Sequence, residues 1–109
     1  MIDDDKINRI AADIVERIKI ACQPKKIILF GSYAKSKPSE DSDLDILLVT
    51  ETRIPHEEIY RMRWDLLRDF SIPVQLICMS EQEFIETRDV VGGIAYPASK
   101  YGEVLYEKS

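Results

Sequence analysis

Apolar residues recur at three- and four-residue steps along the start of the chain. Ile7, Ile10, Ala11, Ile14, Ile18 and Ala21 form one stripe between about Asp3 and Cys22, with Lys6, Arg9, Asp13, Glu16 and Arg17 outside it, which predicts an amphipathic helix. The three aspartates at its start suit the positive end of a helix dipole. Pro24 stops the pattern, and Lys26-Ile27-Ile28-Leu29-Phe30, bounded by Gly31, reads as a short buried strand. After a polar segment from Ser32 to Ser42, Asp43-Leu44-Asp45-Ile46-Leu47-Leu48-Val49-Thr50 predicts a second strand. Both of its faces are apolar beyond Asp45, as expected for an interior strand covered on both sides.

Ile59, Met62, Leu66, Leu67 and Phe70 then mark a second helix from Pro55 to Phe70, with the proline at its first turn. Pro73 to Met79 predicts a third strand. Ser80-Glu81-Gln82-Glu83 has capping-box spacing for another short helix, Gly92-Gly93 breaks it, Pro97 to Tyr101 predicts a last helical turn ending near Gly102, and Val104-Leu105-Tyr106 an edge strand. The expected class is α/β (α+β): a small mixed sheet with helices packed on it. No repeat, low-complexity tract or linker divides the chain, so residues 1–109 are expected to form a single domain.

Composition narrows the function classes. The chain holds 15 Lys+Arg against 20 Asp+Glu, a net charge of -5, which argues against an electrostatic nucleic-acid binder. Its longest stretch without a charge, Phe70 to Ser80, falls short of a membrane span, which needs about 20 apolar residues. The start Met1-Ile2-Asp3-Asp4-Asp5 is the opposite of a secretory signal, and the expected location is the cytoplasm. Cys22 and Cys78 are then expected as reduced core thiols, since two cysteines with one histidine make neither a zinc site nor a disulfide scaffold. Arg61, Arg63 and Arg68 are expected to pair along the second helix with Glu57, Glu58, Asp65 and Asp69, His56 to be exposed, and Tyr60 and Trp64 to form a packed or partner-facing surface.

The chemistry concentrates between Gly31 and Asp45. Glycine at a strand end lets the backbone approach a ligand closely, and amides following it, with the Ser32 hydroxyl, would suit a phosphate. Lys35 and Lys37 add positive charge nearby. Asp43 and Asp45 alternate onto one strand face roughly 6.5–7 Å apart. Such a pair is unfavourable when partly buried unless a cation neutralises it, and Mg2+ carrying a polyphosphate fits that chemistry. Antiparallel pairing of the first two strands would bring cradle and carboxylates to one sheet edge.

At these residues, Gly31-Ser32, ten residues, then Asp43-Leu44-Asp45 at the start of a strand, the chain resembles the nucleotidyltransferase superfamily related to DNA polymerase beta, from about Ala12 to Tyr106. Its small size looks most like the minimal nucleotidyltransferases. The resemblance implies ATP as substrate, nucleotide contacts from Gly31, Ser32 and Lys35, Mg2+ held by the catalytic pair Asp43 and Asp45, and a HEPN-domain toxin as partner, for which such chains act as antitoxins by adenylylating a tyrosine. It also implies a third carboxylate on a later strand, where this chain reads Val74-Gln75-Leu76. Gln75 offers a neutral carbonyl, so binding is the safer expectation than turnover, and the alternative is a weakened binding module that neutralises its partner by contact. Homo- and hetero-oligomers both remain open at this point.

Overall fold

The computed structural model describes residues 4–31 and 43–108. Within them the chain runs α1 (Asp4–Ala21), β1 (Lys26–Phe30), β2 (Leu44–Thr50), α2 (His56–Leu67), β3 (Val74–Ser80), α3 (Glu81–Thr87), α4 (Ala95–Tyr101) and β4 (Glu103–Glu107). Every element expected from the pattern is present, with the last helical turn lengthened at its start and the second helix ending earlier, at Leu67. Pro55 opens α2 as its N-cap, its carbonyl accepting from the amides of Glu58 and Ile59. Ser80 both ends β3 and caps α3: its hydroxyl oxygen accepts from the Glu83 amide at 3.0 Å, one half of the capping box.

The four strands lie in the order β3-β2-β1-β4, with β2 antiparallel to β1 and parallel to β3, and β4 antiparallel to β1. Alternation along the strands sorts their side chains into two cores. Ile27 and Leu29 of β1, Leu44, Ile46 and Leu48 of β2, and Val74 and Leu76 of β3 pack under α1 and α2. On the opposite face, Ile28, Leu47, Val49 and Met79 pack with Phe84 of α3 and with Ala95 and Ala98 of α4. The central strand β2 is therefore buried on both sides, which is why its sequence is a run rather than an alternation.

Two contacts that no local pattern announces fasten the layers. Arg17 of α1 donates to the carbonyl of Leu66 and to the carboxylate of Asp69, both at 2.6 Å, and its guanidinium lies 4.4 Å from the Phe70 ring centroid. Gly102, which ends α4, packs so close to β1 that a Cβ there would lie 2.7 Å from Cγ2 of Ile28 and 3.0 Å from the Leu29 carbonyl. The expected pairing of the α2 arginines is overturned: Asp69 is taken by Arg17, and among the described residues Arg61 and Arg63 have no ion pair. Geometry explains this, since Arg17 reaches a carbonyl and a carboxylate at once, while helix-surface pairs are individually weak. Cys22 and Cys78 are free, half-buried thiols against the larger core, and burial pushes the Cys22 thiol pKa up. Among the described residues, no helix is long and apolar enough to cross a membrane.

Candidate nucleotide site

The antiparallel register pairs Phe30 at the end of β1 with Asp45 near the start of β2. The parallel register pairs Asp45 in turn with Gln75, the second residue of β3. Asp45 and Gln75 share the sheet face of Leu47, Val49 and Met79, because Leu44, Ile46, Val74 and Leu76 alternate to the other one. Asp43 directly precedes β2, two residues before Asp45. A hydrogen bond of 2.9 Å from the Leu44 amide to the Pro73 carbonyl ties the two strand beginnings together. Three of the residues singled out for chemistry, Asp43, Asp45 and Gln75, thus gather at the edge where β1 ends and where β2 and β3 both begin.

Gly31 completes this edge through its backbone. Its φ is 77°, in the left-handed region open to glycine. A Cβ at Gly31 would collide with Oδ2 of Asp45 and lie 3.2 Å from its Cγ. The absent side chain is therefore the space that the Asp45 carboxylate occupies.

The electrostatics of the pair follow from this enclosure. Asp45 is half-buried and Asp43 exposed. Burial pushes the Asp45 pKa above the ordinary carboxylate range, and the charge of nearby Asp43 pushes it the same way. A partly desolvated acid, an exposed one two residues before it and an amide oxygen alongside form an oxygen-only donor set, the kind a hard divalent cation takes. Among the described residues no group of three or more His, Cys, Asp or Glu side chains converges, which agrees with glutamine, not an acid, at position 75. Ser32, Lys35 and Lys37 lie outside the described residues. His56 is exposed and lies 2.8 Å from the Arg53 guanidinium, on an element that contributes nothing to this edge.

The local pattern did not place the second neighbour of Asp45; only the family resemblance marked out Gln75. The pairing of β1 with β2 follows from where each strand begins and ends, whereas nothing local specifies that β3 joins β2 in parallel and in the register that sets Gln75 beside Asp45. The helix between them was the available signal, since a crossover connection permits a parallel neighbour.

Residues 12–109 match the family model described as "Polymerase beta, Nucleotidyltransferase". A chain of Methanocaldococcus jannaschii named as a protein adenylyltransferase is 38% identical over 60 residues, which is 55% of this chain and 58% of that one. The match thus spans little more than half the length of this relative. Among solved structures, a chain of a toxin–antitoxin complex with AMP-PNP superposes with a TM-score of 0.70 at 16% identity, covering 90% of this chain and 73% of its own. A chain from the complex of a tri-AMPylated Shewanella oneidensis HEPN toxin with its MNT antitoxin gives 0.63 at 14% identity, over 93% and 73%. A nucleotidyltransferase of Sulfolobus solfataricus gives 0.59 at 20% identity, over 93% and 80%. At such identities these structures establish the shared fold.

Proposed function

The chain belongs to the polymerase beta nucleotidyltransferase family, and from that premise we propose that it transfers AMP from ATP to a hydroxyl group, that of a tyrosine on a HEPN-domain toxin, and so acts as an antitoxin. The observation that carries this reading is the Gly31–Asp45 edge, where a left-handed glycine makes room for a desolvated carboxylate two residues from a second one. The named adenylyltransferase relative and the toxin–antitoxin complexes of the same fold support the substrate and the partner.

In this reading Asp43 and Asp45 hold Mg2+, which supplies positive charge against the triphosphate. Gly31 keeps the Asp45 carboxylate in place and lets the backbone pass close to the nucleotide. Ser32 and Lys35 receive the phosphates, following the family's Gly-Ser motif. The acceptor oxygen attacks the α-phosphorus, a new O–P bond forms, the bond to the β-phosphate oxygen breaks, pyrophosphate leaves, and the hydroxyl proton passes to solvent. Positioning and charge neutralisation do the work, with no covalent enzyme intermediate. The test is intact-mass and peptide spectrometry of a HEPN-domain partner after incubation with this chain, ATP and Mg2+. Gain of one adenylyl group on tyrosine, lost in Asp43→Asn/Asp45→Asn, is expected; an unmodified partner refutes the transfer.

A second reading is favoured by Gln75, which stands beside Asp45 where the family resemblance implies an acid. A neutral amide at Gln75 would hold a divalent cation less strongly than a carboxylate, and the chain would then neutralise its partner by contact. In that case Asp43→Asn/Asp45→Asn leaves neutralisation of the partner intact.

A further inference from the structure

The outer face of α2 carries two exposed aromatic rings that the proposed chemistry does not use. Tyr60 and Trp64 stand 69% and 56% exposed, one turn apart. Glu57, Arg61, Trp64 and Arg68 fall at steps of four, three and four residues, so they form one stripe along the helix with Tyr60 beside it. All five are exposed. The stripe is polarised, with acid at its start, aromatic rings in its middle and cations at its end, and Arg68 stands 5.1 Å over the Trp64 ring. Among the described residues, Glu57 and Arg61 have no partner within the chain.

Such a stripe complements itself. Two copies of α2 laid antiparallel across a two-fold axis bring Glu57 of each opposite Arg68 of the other, Arg61 over the facing Trp64 ring, and Tyr60 next to the facing Asp65. A two-fold interface has this form, in which residue i meets j and j meets i. The two helix dipoles also oppose one another favourably. We propose that α2 is a self-association face and that its occupant is a second copy of this chain. Charge complementarity selects this occupant, because an acidic or a basic partner would satisfy one end of the stripe and repel the other.

The interface is small. Helix α2 has 12 residues, about 18 Å of length, and a patch of that length lies below the standard interface of roughly 1,600 Å², in the range of weak, concentration-dependent association. The inference does not depend on the nucleotide reading, since α2 contributes no residue to the edge that carries Asp43 and Asp45.

Trp64 is the sole tryptophan, so one side chain reports on its own burial. Sedimentation and intrinsic fluorescence are followed on the full chain from about 1 μM to 1 mM, the concentration span of weak association. The mass is expected to rise from 12.6 kDa toward twice that value, with the Trp64 emission moving to shorter wavelength over the same range. Glu57→Arg is expected to weaken association by about tenfold or more, and Glu57→Arg with Arg68→Glu to restore it, as charge pairs across an interface do. Trp64→Ser should abolish association while leaving the melting temperature of the dilute protein unchanged. A chain that stays at 12.6 kDa throughout overturns the proposal, as it would if another protein covered this face. So does a dimer indifferent to Trp64→Ser, or a double charge reversal that fails to restore what the single one removed.

Discussion

Replacing Gly31 by alanine tests the close approach on which the site is built. The residue has a φ of 77° and its missing Cβ lies where Oδ2 of Asp45 sits. Holding an L-residue in the left-handed region costs about 1–2 kcal/mol. Turning the Asp45 side chain away from the new methyl, off its rotamer, adds about 0.5–1.5 kcal/mol. The sum, about 1.5–3.5 kcal/mol, lowers the melting temperature of a domain this size by roughly 7–15 °C. Thermal unfolding followed by circular dichroism measures it, and a double-mutant cycle separates its parts. In an Asp45→Ala background the carboxylate is gone, so Gly31→Ala should cost only the backbone share of about 1–2 kcal/mol. Where backbone geometry tolerates it, alanine in place of glycine stabilises by about 0.4–1 kcal/mol, so an unchanged or raised melting temperature would refute the left-handed backbone. Equal costs in the two backgrounds would refute the placement of the carboxylate.

Four further substitutions have expected outcomes. Gly102→Ala drives a methyl against the Ala98 carbonyl of α4 and against Ile28 and the Leu29 carbonyl of β1, and should cost about 1–3 kcal/mol in chemical denaturation as overpacking does. In magnesium-free buffer, two acids shape the pH dependence of stability with opposite signs. Asp69 is held below the usual carboxylate range by its hydrogen bond from Arg17, so its contribution is present at neutral pH and lost as pH falls through its depressed folded pKa; Asp69→Asn is less stable than wild type at pH 7 and converges with it in acid. Asp45 is held above that range by burial and then by Asp43, so its ionisation weakens the fold as pH rises through its raised folded pKa; Asp45→Asn is more stable at pH 7, and its advantage vanishes below about pH 4. Gln75→Asp sets a third carboxylate beside Asp45 and should tighten Mg2+ binding by about tenfold, read by calorimetric titration of the metal.

The fold was legible because its signals are local. The helical stripe from Ile7 to Ile18 and the uninterrupted apolar run of β2 report burial on one face and on two faces respectively, and the structure buries them so, whereas Ala21, expected in the same stripe, is exposed where α1 ends. Pro24, Pro55 and Ser80 carry their boundary meaning in their own backbone chemistry. The site was legible to the extent that one strand and its hairpin partner compose it: Asp45 opposite Phe30 follows from where the strands start and stop. Contacts set by tertiary arrangement were not legible. Arg17 takes Asp69, 52 positions along the chain and just past the end of α2, which removes the acid that local spacing assigned to the α2 arginines. The Gly102 approach to β1 likewise depends on how α4 docks, and no residue near Gly102 announces it.

The central claim is that the edge formed by Gly31, Asp43 and Asp45 binds a magnesium nucleotide, and calorimetric titration of ATP into the purified chain, with and without Mg2+, tests it most directly. Binding that requires Mg2+ in the wild type, and is lost in Asp43→Asn/Asp45→Asn while that variant stays folded, is the expected result. Binding of equal strength in the double variant, or binding indifferent to Mg2+, would contradict it.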